Sequence, residues 1–393
     1  MHYIRLLRAP AVVRGRSGQW LKLVVTITTD LGDAYLSPET QVELSVVGAY
    51  HDKKGFLRPY DLTQATNPRW RAGMRVLKVD LPIPPRMPLK TIQIRATNRR
   101  LAVLGTTDVY PRPDGQALIM GVYADMPVGE GEDAIKTEVC FRSLRLVASD
   151  PDAPVNVLQV EEDFGDSIAR HIWDGGVVTV SYIADLCLDA TSDEKSMPVL
   201  SGILRQRDRP LNILELGCGV GIVGIGISRI LGAAFAGSDK ILNVLMTDLQ
   251  DAEGRARANV ARCLAQERGS EETVPSIDFE SLDWEEGKDG KFGEKVQARP
   301  WDLVVVSECT YNPDTLLALV QTLSALHTHS ARNSEFPCDM KIVLSTKPRH
   351  SSERQFFDMM LKDGWAVCEK DVLPLPVLDD EAQSVEVYLF TKG

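Results

Sequence analysis

At 393 residues the chain exceeds a comfortable single core, so two domains are expected. A net charge of -11 argues against holding nucleic acid by bulk electrostatics and makes a basic partner the easier match. Seven cysteines, at 140, 187, 218, 263, 309, 338 and 368, show no C-x-x-C and no zinc spacing, so they read as reduced thiols and no metal site is expected. The first ten residues hold too short an apolar run for a signal peptide, and no stretch of about 18 apolar residues is long enough to span a membrane; cytosol or nucleus is the expected location.

The N-terminal part alternates with a period of two. Leu21, Leu23, Val25 and Ile27 interleave with Lys22, Thr26 and Thr28; Val42, Leu44 and Val46 with Glu43 and Ser45; Ile92, Ile94 and Ala96 with Gln93 and Arg95. Further strands are expected over 74–81, 117–123 and 137–147, between turn-rich pieces such as Pro111-Arg-Pro-Asp-Gly115. This pattern predicts an all-β, sandwich-like domain over residues 1–150. With no catalytic cluster, it reads as a packing, target-recognition or partner-docking module. Ser149-Asp-Pro-Asp-Ala-Pro154 marks the boundary to a second domain, 151–393, which a strand near 157–160 opens.

Next come Trp173-Asp-Gly-Gly176 and an expected amphipathic helix, with His171 beside it left as structural. Leu211-Asn-Ile-Leu-Glu-Leu-Gly-Cys-Gly-Val-Gly221 then reads as a buried strand turning through a glycine loop into a helix. Gly217, Gly219 and Gly221 let the backbone approach a ligand. Gly219, Gly221 and Gly224 also fit the dinucleotide spacing, so the glycines alone do not name that ligand. Glu215 tips the balance: a carboxylate here would repel a diphosphate but suits the cationic amino-acid end of S-adenosyl-L-methionine. Asn243–Leu249 reads as a second strand ending in Asp248, placed either to accept from both ribose hydroxyls or to cap the helix over 250–265. A strand over 277–284 closes with Asp283-Trp284, and residues 285–299, rich in Gly, Lys and Glu, read as a flexible loop. Leu303–Val306 is a continuous apolar run, hence a central parallel strand, followed by Glu308-Cys-Thr-Tyr311 and a helix opened by Asn312-Pro313. Strands over 341–346, 365–372 and 385–391 and a helix over 352–363 complete an alternating α/β pattern. Lys347-Pro-Arg-His350 follows a strand end, a place that could border the target cleft, but its first reading is a solvated basic loop.

Glu215-Leu-Gly-Cys-Gly-Val-Gly221, Thr247-Asp-Leu249, Asp283-Trp284 and Glu308-Cys-Thr-Tyr311 together resemble the seven-strand, Rossmann-like methyltransferases. Within these, they resemble the METTL21-like protein-lysine methyltransferases of methyltransferase family 16. The resemblance covers roughly 155–393 and implies a seven-strand sheet whose last strand is antiparallel. It further implies that Trp173 encloses the cofactor, Asp283 and Trp284 lie beside the adenine, and Glu308 belongs to both the cofactor and the catalytic set with Tyr311. Glutamate at 308 departs from the usual aspartate, keeping the charge on a longer arm. The implied activity is S-adenosylmethionine-dependent methylation of a lysine on an intracellular protein. Alternatives are methylation of a small molecule or nucleic acid, and a cofactor-binding chaperone or scaffold without transfer.

Overall fold

Three sheets carry the described residues of the computed structural model, which are 1–16, 18–64, 67–85, 87–110, 118–127, 138–146, 156–164, 170–188, 196–206, 208–267, 276–334, 339–375 and 383–393. The first sheet is built from β1 (His2–Leu6), β2 (Ala11–Gly15), β3 (Gly18–Thr28), β7 (Leu77–Ile83), β9 (Ala102–Val103) and β10 (Ile119–Met120). The second holds β4 (Val42–His51), β5 (Leu57–Asp61), β6 (Arg69–Trp70), β8 (Leu89–Ala96), β11 (Val122–Asp125), β12 (Val139–Leu146) and β13 (Asn156–Asp163). The alternating apolar positions do what their period demands. Ile4, Leu21, Leu23 and Ile27 of the first sheet share one core with Leu44, Val46, Ile92 and Ile94 of the second. The stretch expected as one strand near 117–123 is broken at Gly121, where a Cβ would meet the Ile94 carbonyl oxygen at 2.8 Å.

The strand near 157–160 does not open the second domain. It is β13, paired antiparallel with β12 from Val139↔Asp163 to Leu146↔Asn156. Alternation shows that a strand is half-buried but not which neighbour completes its hydrogen bonds. The expected boundary, Ser149–Pro154, lies outside the described residues.

The third sheet carries β14 (Leu211–Leu216), β15 (Leu242–Asp248), β16 (Ser276–Ser281), β17 (Leu303–Ser307), β18 (Lys341–Thr346), β19 (Trp365–Leu375) and β20 (Gln383–Lys392). Their order is β16, β15, β14, β17, β18, β20, β19. The first five run parallel, and β20 is antiparallel to both of its neighbours, as the resemblance implies. Central strands are buried on both faces: Leu211, Ile213, Leu303 and Val305 point into one core, Leu214, Leu216, Val304 and Val306 into the other.

Helices α1 (Asp174–Leu188), α3 (Ile222–Ala234) and α4 (Gln250–Glu267) meet the first of these cores, and α7 (Leu316–Asn333) and α8 (Gln355–Lys362) the second. Helix α2 is Pro198–Arg205. Instead of presenting one apolar face, α1 is enclosed on nearly every side, with Val177, Thr179, Val180, Ser181 and Tyr182 all buried. The core that holds it also contains Met1, Tyr3, Met120, Leu144, Leu158 and Val160, so the N-terminal sheets and the α/β part share this core. Residues 285–299, expected as a flexible loop, contain two single-turn helices, α5 (Trp284–Gly287) and α6 (Glu294–Gln297). The Glu280 carboxylate pins the second by accepting from the N–H groups of Lys295 and Val296, both at 2.9 Å. Among the described residues no helix is long and apolar enough to cross a membrane.

Candidate active site

Chain order along the third sheet reverses between β14 and β17: from β14 the chain goes out to β15 and β16, then returns to the other side of β14. Open α/β sheets bind ligands at this crevice, beyond the carboxyl ends of the strands. The glycine loop follows β14, Asp248 ends β15 and Glu308 follows β17, so all three stand around it. Gly217 and Gly219 have φ of 68° and 54°, backbone geometry that side-chain-bearing residues rarely adopt. A Cβ on Gly217 would also lie 2.4 Å from Cys309 Sγ.

A cavity of about 460 Å³ fills the crevice, and its walls include Trp173, Glu215, Gly217, Gly219, Asp248, Asp283, Trp284, Glu308 and Tyr311. Gly221 is not among the lining residues. It caps α3 at φ 84°, where a Cβ would press on Met246 Sδ at 2.9 Å, so its work is to shape the turn. Glu215 is buried, its Oε2 accepting from the Gly224 N–H at 2.9 Å. Burial, with the Asp248 carboxylate adding to it, pushes the Glu215 carboxyl up to about 8. Both Asp248 oxygens hold backbone, accepting from Gly219 N–H and Leu249 N–H at 2.7 Å each. Oδ2 thereby braces the glycine loop, and each oxygen has capacity for a further donor. Asp283 caps α5 by accepting from the Glu285 N–H at 2.9 Å.

Glu308 is the one residue other than glycine with positive φ, 58°, among the described residues. Its Oε1 accepts from the Lys347 N–H and its Oε2 from Arg349 Nη2, both at 2.8 Å. Burial raises this carboxyl, and against the pull of Arg349 the neighbouring Asp30 helps bring it to about 8. Space for it exists because residue 175 is glycine: a Cβ there would stand 2.0 Å from Glu308 Oε1. Tyr311 is half-exposed, and burial of the remainder raises its phenol.

The basic stretch after β18 is not a solvated loop. Lys347 Nζ reaches Asp174 Oδ2 at 2.7 Å, and Arg349 Nη2 reaches Asp30 Oδ2 at 2.7 Å. Asp174 also accepts from the Met1 amino group at 2.8 Å and from the Tyr3 hydroxyl at 2.7 Å. Burial alone would raise the Asp174 carboxyl, but Met1 and Lys347 hold it well below the usual carboxylate range. The N-terminal part therefore touches the same network as Glu308, through Met1, Tyr3 and Asp30.

A second cavity, about 450 Å³, lies on that side. Arg5, Leu7, Asp30 and Leu31 come to it from the first strands, Arg349 from the loop after β18, and it shares His171, Trp173, Glu308 and Tyr311 with the first cavity. His171 thus stands between the two, with its Nδ1 3.9 Å from Glu162 Oε2. The sequence offered no local motif for Asp30, His171, Lys347 or Arg349. One trace was present: Asp30 lies two residues after the alternating run of β3.

Residues 153–363 match the lysine methyltransferase family. The chain belongs to that family. Its cofactor is S-adenosyl-L-methionine. A Schizosaccharomyces pombe protein described as a UPF0665 family protein is 24% identical over 100% of this chain and 99% of its own length. Among solved structures, an S-adenosylmethionine-dependent methyltransferase from Methanosarcina mazei is 13% identical, covering 50% of this chain and 97% of its own, with a TM-score of 0.32. M. capricolum TrmK bound to S-adenosylhomocysteine is 11% identical, covering 50% and 68%, with a TM-score of 0.27. These two are remote likenesses.

The residues present fit the cofactor. A buried carboxyl at Glu215 faces the cavity for an ammonium, a braced carboxylate at Asp248 suits a diol, Trp284 offers an apolar face, and the glycine loop is a cradle a Cβ would fill.

Proposed function

We propose that the chain is an S-adenosylmethionine-dependent protein N-methyltransferase that acts on a lysine side chain. The observation that carries this reading is the meeting of two cavities at His171, Trp173, Glu308 and Tyr311, one with the cofactor-compatible walls and the other walled by N-terminal strands and carboxylates. The family match supports it. When bound, the cofactor supplies an electrophilic methyl carbon. Glu215, Asp248 and Trp284 hold it, Gly217 and Gly219 allow close approach, and Trp173 covers it from the α1 side.

For the target, the chain's task is orientation and removal of one proton, since a lysine is mostly protonated at neutral pH. Tyr311, raised by burial, stays protonated near neutral pH and so serves as a hydrogen-bonding group for the amine nitrogen. Glu308, pushed up to about 8, is mostly protonated at pH 7 in the free protein; an ammonium brought against it favours the carboxylate, which then gives the amine a counter-charge and an acceptor. The N-terminal sheets supply the outer wall of the target side, which gives them a part in recognition.

The test is transfer of a labelled methyl group from S-adenosylmethionine to cellular proteins, with the modified residue located by mass spectrometry. Label on a lysine is expected. Label only on nucleic acid or on small molecules, or cofactor binding with no transfer at all, would sink the reading.

A further inference from the structure

We infer that Asp30, Glu308 and the face of Trp173 form the binding site for the target's alkylammonium group, and that Arg349 is a resident cation which the target displaces from it. This rests on the lysine reading and deepens it, because it places part of the target's site on the N-terminal strands.

The guanidinium of Arg349 lies 5.7 Å from the centre of the Trp173 ring, within the reach of a cation–π contact. One of its nitrogens, Nη2, bonds both carboxylates, Asp30 Oδ2 at 2.7 Å and Glu308 Oε2 at 2.8 Å. That position is therefore a nitrogen site with two carboxyl oxygens as acceptors and an aromatic wall, at the point where the two cavities join. The other nitrogen, Nη1, is buried with no hydrogen-bond partner. Arginine's strength lies in a planar fork that meets a carboxylate through two parallel bonds, and here only one tine is used. An ammonium is compact, carries three donors and rotates freely, so a single nitrogen at this place can serve both oxygens without an orphan donor.

The two acids are held ready from opposite sides of the molecule. Asp30 Oδ1 accepts from the Leu31 N–H at 3.0 Å and Oδ2 from the Asp174 N–H at 3.2 Å, while Glu308 is fixed by the Lys347 N–H. Lys347 remains nearby, its Nζ 3.6 Å from Asp30 Oδ1 but paired more closely with Asp174. Displacement thus exchanges one cation for another and leaves the surrounding ion pairs in place. Exposed Leu7 and Leu31 line the same cavity and offer apolar surface to the target's flanking chain.

The experiment measures binding of n-butylammonium, the lysine side-chain probe, to the full chain saturated with S-adenosylhomocysteine. Arg349→Met should bind it at least about tenfold more tightly than wild type, guanidinium ion should compete, and n-butanol should show no such gain. Adding Asp30→Asn should abolish the gain. A folded Arg349→Met protein with wild-type affinity for S-adenosylhomocysteine that binds n-butylammonium no better than wild type, or binds n-butanol equally well, overturns the inference. If that variant does not fold, Arg349→Gln carries the same comparison. Since no methyl transfer is read, the outcome stands apart from the wider reading: flat affinities alongside labelled lysine reject this site alone, and the expected affinities with label elsewhere reject lysine as the target.

Discussion

Binding of the cofactor should expel a proton from Glu215. The side chain is buried, one oxygen is committed to the Gly224 N–H, and its carboxyl is pushed up to about 8. At pH 7 about nine-tenths of it is therefore protonated in the free protein, and ionising it there costs about 1.4 kcal/mol. An ammonium brought close favours the ionised form. Binding of S-adenosylhomocysteine at pH 7 should then release about 0.9 proton, and affinity should rise roughly tenfold per pH unit below 8 and flatten above it. Calorimetry in buffers of different ionisation enthalpy reads the proton directly, and Glu215→Gln should bind with no release and little pH dependence between 6.5 and 8.5. A wild-type release below about 0.2 proton at pH 7, or an equal release in the variant, would refute the assignment of Glu215 to the cofactor's amino group.

Other consequences can be checked separately. Glu215 and Glu308 both have folded-state values above their ordinary 4.5, so their contribution to stability is full below that value and is lost as pH rises through about 8; the ligand-free melting temperature should fall between pH 6 and 9, and less so in a Glu215→Gln variant. Arg142 Nε donates to Glu162 Oε1 at 2.7 Å and its Nη1 to three backbone carbonyls, all buried, so Arg142→Met should cost about 3–5 kcal/mol in chemical denaturation; a loss below 1 kcal/mol would mean the pair is dispensable. Gly175→Ala places a methyl where Glu308 Oε1 sits, and should lower transfer at least tenfold while S-adenosylhomocysteine affinity stays within about threefold; unchanged turnover would argue that Glu308 does not act on the target. A fragment starting at residue 156 would strip Met1, Tyr3, Met120 and Leu144 from the core around α1, and should lose its cooperative melting transition; a soluble, cooperatively melting fragment would show the shared core to be unimportant.

What the sequence disclosed depended on how local its cause was. The glycine loop, Asp248 and the Glu308–Tyr311 turn are each read from a few neighbouring residues, and the structure brings all but Gly221 to the wall of one cavity. The buried run of β17 announced a central strand in the same way. By contrast, β13 looks like any half-buried strand, and only its register with β12 assigns it to the N-terminal sheet. Lys347 and Arg349 look solvated because their anionic partners, Asp174 and Asp30, lie 173 and 319 positions away. Residues 285–299 have a loop's composition, yet the Asp283 carboxylate caps one short helix there and Glu280 pins the other. Long-range charge pairing leaves no spacing to read, which is why the second cavity and the place of Asp30 in it came only from the structure.

In the proposed function Glu308 and Tyr311 present a lysine amine to the methyl group at the junction of the two cavities. Its most direct test follows labelled methyl from S-adenosylmethionine into protein, comparing wild type with Tyr311→Phe, which deletes one hydroxyl at nearly constant volume. The account predicts label on a lysine and a fall in kcat of roughly 10- to 1000-fold in the variant, with S-adenosylhomocysteine affinity unchanged within about threefold. Label on any other residue type, or wild-type turnover in the variant, would contradict it.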